Sequence, residues 1–91
     1  MSRADAEAML THVSGWELAQ GGKSIARLYR FKDFAAALAF VDAVGAIAEA
    51  EGHHPDIELG WGRARITLST HAISGLSEND FIMAAKIDTL S

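Results

Sequence analysis

Three histidines carry most of the chemistry that this sequence offers. The segment "EGHHPD" (51–56) places His53 and His54 directly before the only proline, and His71 closes the segment "ITLSTH" (66–71). Imidazole has an unperturbed pKa of about 6.5, so it can both give and take a proton near neutral pH. Several imidazoles around one site suit a reaction that adds a proton at one atom and removes it at another. The sequence therefore predicts proton-transfer chemistry, provided that the fold brings these side chains together.

Other roles for these histidines stay open on the sequence alone. A single histidine is more often a surface or capping group, and a histidine just after a helix also complements the helix dipole. Three imidazoles suffice in principle for zinc, although adjacent histidines lack the i, i+4 spacing of helical zinc sites. Nucleophilic catalysis is disfavoured, because the chain has no cysteine and no G-x-S-x-G segment. The glycines form no phosphate-binding loop.

A long predicted helix must position His53 and His54. It runs from about Asp33 to Glu51, with Asp33 as its N-cap and Gly52 as the glycine that ends it. Its apolar residues recur at helical spacing and form a wide stripe: Phe34, Leu38, Val41 and Ala48, beside Phe40, Val44 and Ile47. The two histidines therefore lie just past a helix C-terminus, where Pro55 stops the helix from resuming.

A predicted hairpin must position His71. Its first strand covers 56–61, and Gly60 and Gly62 allow a tight turn around Trp61. Its second strand covers 63–70 and alternates, so Ala64, Ile66, Leu68 and Thr70 share one face, and Arg63, Arg65, Thr67, Ser69 and His71 share the other. The histidines can share one site only if the end of this strand meets the loop after the long helix.

The remaining elements complete a single predicted domain over residues 1–91. A short helix over about 3–12 is capped by Ser2, strands cover 16–20 and 23–31, and "GG" (21–22) reads as a two-residue hairpin turn. "SEND" (77–80) fits a capping box for a last helix over about 78–89, which is expected to bury Phe81, Ile82, Ala85 and Ile87. The predicted fold class is α+β in the order α-β-β-α-β-β-α, a four-stranded antiparallel sheet with helices packed on one face.

Composition restricts the partners. The formal net charge is −4 and the pI is about 5.4, which argues against direct binding of nucleic acid. No apolar run reaches the ~20 residues that span a bilayer, and the start has no signal-peptide pattern, so a cytoplasmic protein without membrane contact is expected. With 91 residues, 49% of them hydrophobic, and no cysteine, self-association is a reasonable way to add burial.

Taken jointly, these segments resemble the pterin-4a-carbinolamine dehydratase family. The shared pattern is E-x-x-x-H-H-P from Glu49 to Pro55, then Trp61, then "ITLSTH" ending at His71, then Asp80. The segments "GW" (15–16), "RFKDF" (30–34) and "GLSENDF" (75–81) are similar to family segments as well. The resemblance covers nearly the whole chain from Gly15 onward.

The resemblance implies an activity and an assembly. Such enzymes dehydrate 4a-hydroxytetrahydropterin to quinonoid dihydropterin and water, which recycles the pterin cofactor of aromatic amino-acid hydroxylases. They use neither a metal nor an organic cofactor. They are commonly tetramers built as dimers of dimers, so a homodimer or homotetramer is expected. Animal members also act as a dimerisation cofactor of a homeodomain transcription factor, through a helical surface.

The resemblance also implies roles for individual residues. His53, His54 and His71 stand at the catalytic positions, and Glu49, Trp16, Ser69 and Asp80 stand at or near the pterin pocket. No metal ligand is implied. A non-catalytic binding module with the same fold and a metal-dependent hydrolase built on the same imidazoles remain as alternatives.

Overall fold

A computed structural model describes all residues 1–91 and contains three α-helices and one four-stranded sheet. The helices are α1 (Arg3–Leu10), α2 (Phe34–Glu51) and α3 (Glu78–Asp88), and the strands are β1 (Glu17–Ala19), β2 (Ser24–Arg30), β3 (Asp56–Gly60) and β4 (Arg63–Leu68). Short 3₁₀ turns cover Gln20–Gly22 and His71–Ile73. The predicted order of helices and strands is confirmed.

The sheet has the strand order β1-β2-β4-β3, and every neighbouring pair is antiparallel. Ile25 lies opposite Leu68 and Ile57 opposite Ile66, which places these side chains on one face. That face packs against the helices in a continuous core that includes Ala6, Val44 and Ile87 from α1, α2 and α3. The helices therefore cover one side of the sheet, as predicted. None of them has the length and hydropathy needed to span a membrane.

The helix boundaries follow the predicted caps. The Asp33 side chain accepts a hydrogen bond from the backbone N–H of Ala36 at 2.8 Å and starts α2. Gly52 ends α2 in the left-handed region at φ 63°, where glycine carries no Cβ penalty. Ser77 and Asp80 form the capping box of α3. Gly52 therefore sets where the loop that carries His53 begins, and the capping box sets where the helix that carries Asp80 begins.

The predicted two-residue turn at Gly21 and Gly22 is wrong. Ala19 pairs with Ser24, so four residues, 20–23, connect β1 to β2, and three of them form the 3₁₀ turn. Gln20 itself adopts a left-handed backbone at φ 53°. The turn is longer than predicted because the pairing of β1 with β2 stops before the glycines.

The predicted burial of α3 is partly wrong. Ile82 is 48% exposed and Ala85 is also exposed, whereas Met83 and Ala84 are buried beside Phe81 and Ile87.

On α2, only one side of the wide apolar stripe faces the sheet. The buried residues are Ala37, Phe40, Val44 and Ala48. Phe34 and Leu38 are 44% and 41% exposed. Each helix carries apolar residues on more than one side, and packing selects one of those sides.

Candidate active site

The end of α2 and the end of β4 meet at one cavity. It has a volume of about 400 Å³ and is lined by residues of two segments, 52–56 and 69–72. His53, His54 and His71 all line it, together with Ser69. We call it the histidine cavity. The structure thus brings together the three histidines that the sequence singled out.

Local backbone geometry places the histidines on its wall. The left-handed Gly52 turns the chain away from α2, and the His53 N–H still bonds the Ala48 carbonyl at 3.2 Å. Pro55 then leads directly into β3. On the opposite side, β4 ends at Leu68, Thr70 donates its N–H to the Gly75 carbonyl at 2.7 Å, and His71 opens a 3₁₀ turn. Both histidine segments are therefore tied to regular elements.

His53 is held by a buried carboxylate. Its Nε2 lies 2.6 Å from Asp80 Oδ1, and Asp80 is fully buried. Asp80 Oδ2 accepts hydrogen bonds from Thr70 Oγ1 at 2.9 Å and from the Ser77 N–H at 3.0 Å. An ionised carboxylate only accepts, so Nε2 of His53 carries the hydrogen and Nδ1 of the neutral ring is left as an acceptor. Asp80 therefore fixes the orientation and the tautomer of His53.

His54 has a different, exposed environment. Its Nε2 pairs with Glu49 Oε2, and the two side chains are 61% and 78% exposed. An ion pair between exposed side chains contributes little to stability because water and salt screen it. Glu49 does not line the histidine cavity and reaches it only through His54. Asp80 does not line the cavity either, but it holds two residues that do, His53 and Thr70.

His71 is the histidine of the cavity whose ring has no hydrogen-bond partner in the chain. It is exposed, and it shares the cavity wall with Ser69 and Asp56. Sequence reasoning did not single out Asp56, although an ionisable residue directly after "HHP" was a usable signal. The cavity thus combines one fixed imidazole, one imidazole paired at the surface and one imidazole available to a ligand.

Trp16 lies outside this group. It is 4% exposed, its Nε1 donates to both carboxylate oxygens of Asp88 at 3.1 and 3.2 Å, and its ring packs edge-on against Tyr29. Arg27 also donates to Asp88, at 3.0 Å. Burial, together with the hydrogen bond to Asp88, raises the pKa of Tyr29 above its ordinary range. The substrate contact that the resemblance implies for Trp16 stays a prediction.

The arrangement of these side chains favours acid–base chemistry. No three His, Cys, Asp or Glu side chains are grouped so that they could hold a metal ion. The histidine cavity instead offers imidazoles in unlike environments, and Asp56, Ser69 and Thr70 line it as well. Such a set can deliver a proton to one atom of a bound molecule and remove one from another.

Comparison with known proteins gives matches over nearly the whole chain. The family described as pterin 4 alpha carbinolamine dehydratase matches residues 1–90. A relative from Methylococcus capsulatus, with the provisional name pterin-4-alpha-carbinolamine dehydratase, is 50% identical over 91 residues, which cover the whole chain and 80% of that protein. A similarly named relative from Azoarcus sp. is 50% identical over the whole chain and 78% of its own length.

Two solved structures share the fold. A transcriptional coactivator/pterin dehydratase from Brucella melitensis is 31% identical with a TM-score of 0.91, over 98% of this chain and 95% of the other. A pterin dehydratase-like protein, described as a RuBisCO assembly factor in the alpha-carboxysome, is 29% identical with a TM-score of 0.73, over 87% of this chain and 92% of the other.

Proposed function

The chain belongs to the pterin-4-alpha-carbinolamine dehydratase family, and we propose that it dehydrates 4a-hydroxytetrahydropterin to quinonoid dihydropterin and water. In this role it recycles the pterin cofactor of aromatic amino-acid hydroxylases. The observation that carries the proposal is the convergence of His53, His54 and His71 on one cavity of about 400 Å³. Family membership supports the substrate class.

The reaction requires two proton movements. Carbon 4a of the substrate bears a hydroxyl group and is bonded to N5, which carries a hydrogen. A proton must reach the hydroxyl so that the C4a–O bond breaks and water leaves. Removal of the N5 proton leaves the electron pair that forms the C4a=N5 double bond. A positioned acid or base contributes typically ~10²–10⁴ in rate, and two imidazoles can supply one of each.

We assign the base to His53 and the acid to His71. Nδ1 of His53 is the free acceptor, and the buried Asp80 carboxylate stabilises the positive charge that the ring gains on taking the N5 proton. His71 has no protein partner, so its ring is available to protonate the departing hydroxyl. His54, paired with Glu49 at the rim, is assigned to orienting the ring or holding a water.

A stopped-flow assay tests the proposed function. Synthetic 4a-hydroxytetrahydropterin dehydrates slowly by itself, and the wild-type chain should accelerate that step. The variant with His53, His54 and His71 all changed to alanine should not. The matched control is His12→Ala, which removes the exposed histidine outside the cavity and should keep full activity. Equal rates with and without the wild-type chain would exclude the dehydratase function.

A non-catalytic binding module is the second candidate. Two observations favour it: one structural neighbour is described as a RuBisCO assembly factor and another as a transcriptional coactivator. A dimerisation cofactor of a transcription factor belongs to this class. Pterin binding without any acceleration of dehydration would support this candidate.

Elemental analysis of chelator-free protein separates both candidates from a metal-dependent hydrolase, which requires stoichiometric metal.

We also propose that the chain acts as a homodimer or homotetramer. Phe34 and Leu38 on the outer side of α2 are 44% and 41% exposed, and Trp61 at the β3–β4 turn is 72% exposed. Large apolar side chains at such exposure are candidates for burial by another copy, and a domain of this size has a small core. Sedimentation equilibrium measures the mass directly, and a monomer at micromolar concentration would contradict the proposal.

A further inference from the structure

The face of the sheet that the helices leave uncovered carries three arginines at one end. The buried side chains of β4 pack against the helices, and Arg63 and Arg65 alternate with them and so point to the opposite face. Arg30 of β2 lies directly opposite Arg63. All three arginines are exposed. We call Arg30, Arg63 and Arg65 the arginine patch.

The arginine patch has no ionic partner within the chain. None of its side chains forms an ion pair, whereas Arg3, Arg27 and Lys86 are all paired with carboxylates. Glu58 of β3 lies opposite Arg65 without pairing with it. Three arginines against one glutamate give this end of the face a net charge of +2, although the whole chain has a formal net charge of −4. The positive charge is therefore local and uncompensated.

The pairing of Arg30 with Arg63 opposes folding. Like charges directly opposite each other on adjacent strands are destabilising. On the other side of Arg63, Gly60 leaves the room that the guanidinium occupies, since a Cβ at Gly60 would lie 2.7 Å from Arg63 Cζ. Arg63 thus lies across the sheet surface beside a second arginine. A local arrangement that opposes stability without a structural gain is typical of a functional position.

The size of the patch limits what can bind to it. Arg63 and Arg65 are two residues apart on one strand, which separates them by about 7 Å, and the neighbouring strand with Arg30 lies about 5 Å away. The next row of side chains on this face carries Glu17 and Asp56 at its two edges. A nucleic acid carries a charge every few ångströms along its length, so its phosphates would run past the patch onto these carboxylates. A short acidic segment would not.

The spacing within the patch matches an extended peptide. In an extended chain, every second side chain points to the same side, so acidic residues at alternate positions present carboxylates about 7 Å apart. Arginine binds carboxylates through two parallel hydrogen bonds. Leu28, which lies opposite Arg65 and is 39% exposed, offers an apolar contact for the methylene groups of such side chains.

We propose that the arginine patch docks a short, extended acidic segment of another protein, with carboxylates at alternate residues. This surface is separate from the proposed dehydratase site. Ser69 of the histidine cavity follows Arg63 by six residues along the same chain, which corresponds to about 20 Å of extended strand. A segment bound at the patch therefore leaves the cavity open to substrate.

Fluorescence anisotropy with labelled peptides tests the proposal. The probe is a short peptide with glutamate at every second position and threonine between, and its counterpart has glutamine in place of every glutamate. The wild-type chain should bind the glutamate peptide and not the glutamine peptide. Raising the salt concentration from ~50 mM to ~500 mM should abolish the binding, because salt screens exposed charges. A labelled oligothymidylate of the same formal charge is the nucleic-acid probe, and it should bind more weakly than the glutamate peptide.

A double variant locates the binding. Arg63→Gln with Arg65→Gln should weaken binding of the glutamate peptide about tenfold, since each exposed arginine–carboxylate pair contributes roughly two- to fivefold. The matched control is Arg3→Gln with Lys86→Gln, which makes the same change in net charge on α1 and α3. The control should keep full affinity. Stopped-flow dehydration by the Arg63→Gln, Arg65→Gln variant should match the wild type.

A stability measurement separates docking from a structural role. Because Arg30 faces Arg63, the variant Arg30→Gln should unfold at the same or a higher urea concentration than the wild type while it binds the glutamate peptide more weakly. A clear fall in its urea midpoint would assign Arg30 a structural role and overturn the proposal.

The binding outcomes decide the rest. Absence of binding to the glutamate peptide would overturn the proposal, as would binding that survives in the double variant or is lost equally in the control. Tighter binding of oligothymidylate, lost in the same double variant, would replace the acidic segment with a nucleic acid. If the peptide binds as expected but the wild type accelerates no dehydration, the docking surface stands and the dehydratase function fails.

Discussion

At the scale of single residues, the three histidines of the cavity differ in what fixes them. His53 is bonded to the fully buried Asp80, His54 pairs with the exposed Glu49, and His71 has no partner in the chain. A ring held by a buried carboxylate keeps one tautomer and one orientation. The proposed base and the proposed acid therefore depend on different parts of the structure and can be tested separately.

The variant His71→Ala should lower kcat/KM for dehydration by ~100-fold or more, because an acid positioned on the leaving hydroxyl typically contributes ~10²–10⁴. Stopped-flow dehydration measures the loss, and circular dichroism with sedimentation checks that fold and assembly are intact. His12→Ala serves as the matched control. A loss of only a few-fold would remove His71 from the catalytic role.

Asp80 is a positioning residue, since it does not line the cavity and acts on it through His53 and Thr70. We expect Asp80→Asn to lower kcat/KM by more than about tenfold, because an amide nitrogen that donates to Nε2 moves the proton of the ring onto Nδ1. The pH–rate profile should change shape at its acidic limb, an effect that simple destabilisation does not produce. An unchanged profile with a proportionally lower folded fraction would assign Asp80 a purely structural role.

At the scale of elements, the end of α2 determines where the loop with His53 and His54 leaves the helix. Gly52 is left-handed at φ 63°, and a Cβ added there would meet no atom within 4 Å. The helix interior offers a matched position, since a Cβ added at Gly45 would also have open space around it, but Gly45 lies within α2. The two glycines therefore differ in backbone conformation and not in crowding.

The variant Gly52→Ala should lower the free energy of unfolding by about 1 kcal/mol, because alanine is strained at positive φ. Gly45→Ala should raise it by roughly 0.5–1 kcal/mol, since alanine has the higher helix propensity. Urea denaturation measures both. Two shifts of the same sign would contradict the left-handed cap at Gly52. Gly52→Ala should also reduce dehydratase activity, because the residue after it is His53.

At the scale of the whole molecule, Asp88 links separate parts of the fold. It lies at the end of α3 and accepts hydrogen bonds from Trp16, Arg27 and Tyr29, so it ties α3 to β2 and to the segment before β1. The Arg27 guanidinium also lies 4.5 Å from the centre of the Tyr29 ring. This network lies at the opposite end of α3 from Asp80 and stabilises the scaffold of the site.

The variant Tyr29→Phe should be less stable than the wild type by about 1.5 kcal/mol at neutral pH, through loss of one hydrogen bond to the carboxylate of Asp88. Burial is the first cause that raises the pKa of Tyr29 above its ordinary value of 10.0. The unfolded state therefore loses this proton first, and the stabilisation is present below about pH 10 and lost as pH rises further. Urea denaturation at neutral pH and above pH 10 measures the free energy of unfolding of both proteins. The difference between wild type and variant should be smaller above pH 10, and a constant difference would contradict the role of this hydrogen bond.

The sequence by itself determined most of the elements and the identity of the histidines. Asp33, Gly52 and the 77–80 capping box mark helix ends through contacts between residues a few positions apart. The alternation of Ala64, Ile66 and Leu68 fixes one buried face of β4. Such signals are local, so they can be read without knowing where other segments lie. The length of the turn at 20–23 is not such a signal, because it depends on where β1 and β2 stop pairing.

Only the tertiary structure decided which side chains touch. Asp80 meets His53 across 27 positions and Trp16 meets Asp88 across 72, and no local pattern encodes either contact. The side of α2 and α3 that faces the core, and the placement of Arg30 opposite Arg63, depend on how helices and strands pack. Each helix is apolar on more than one side, so its orientation is settled by the best packing of the whole core and not by its own sequence.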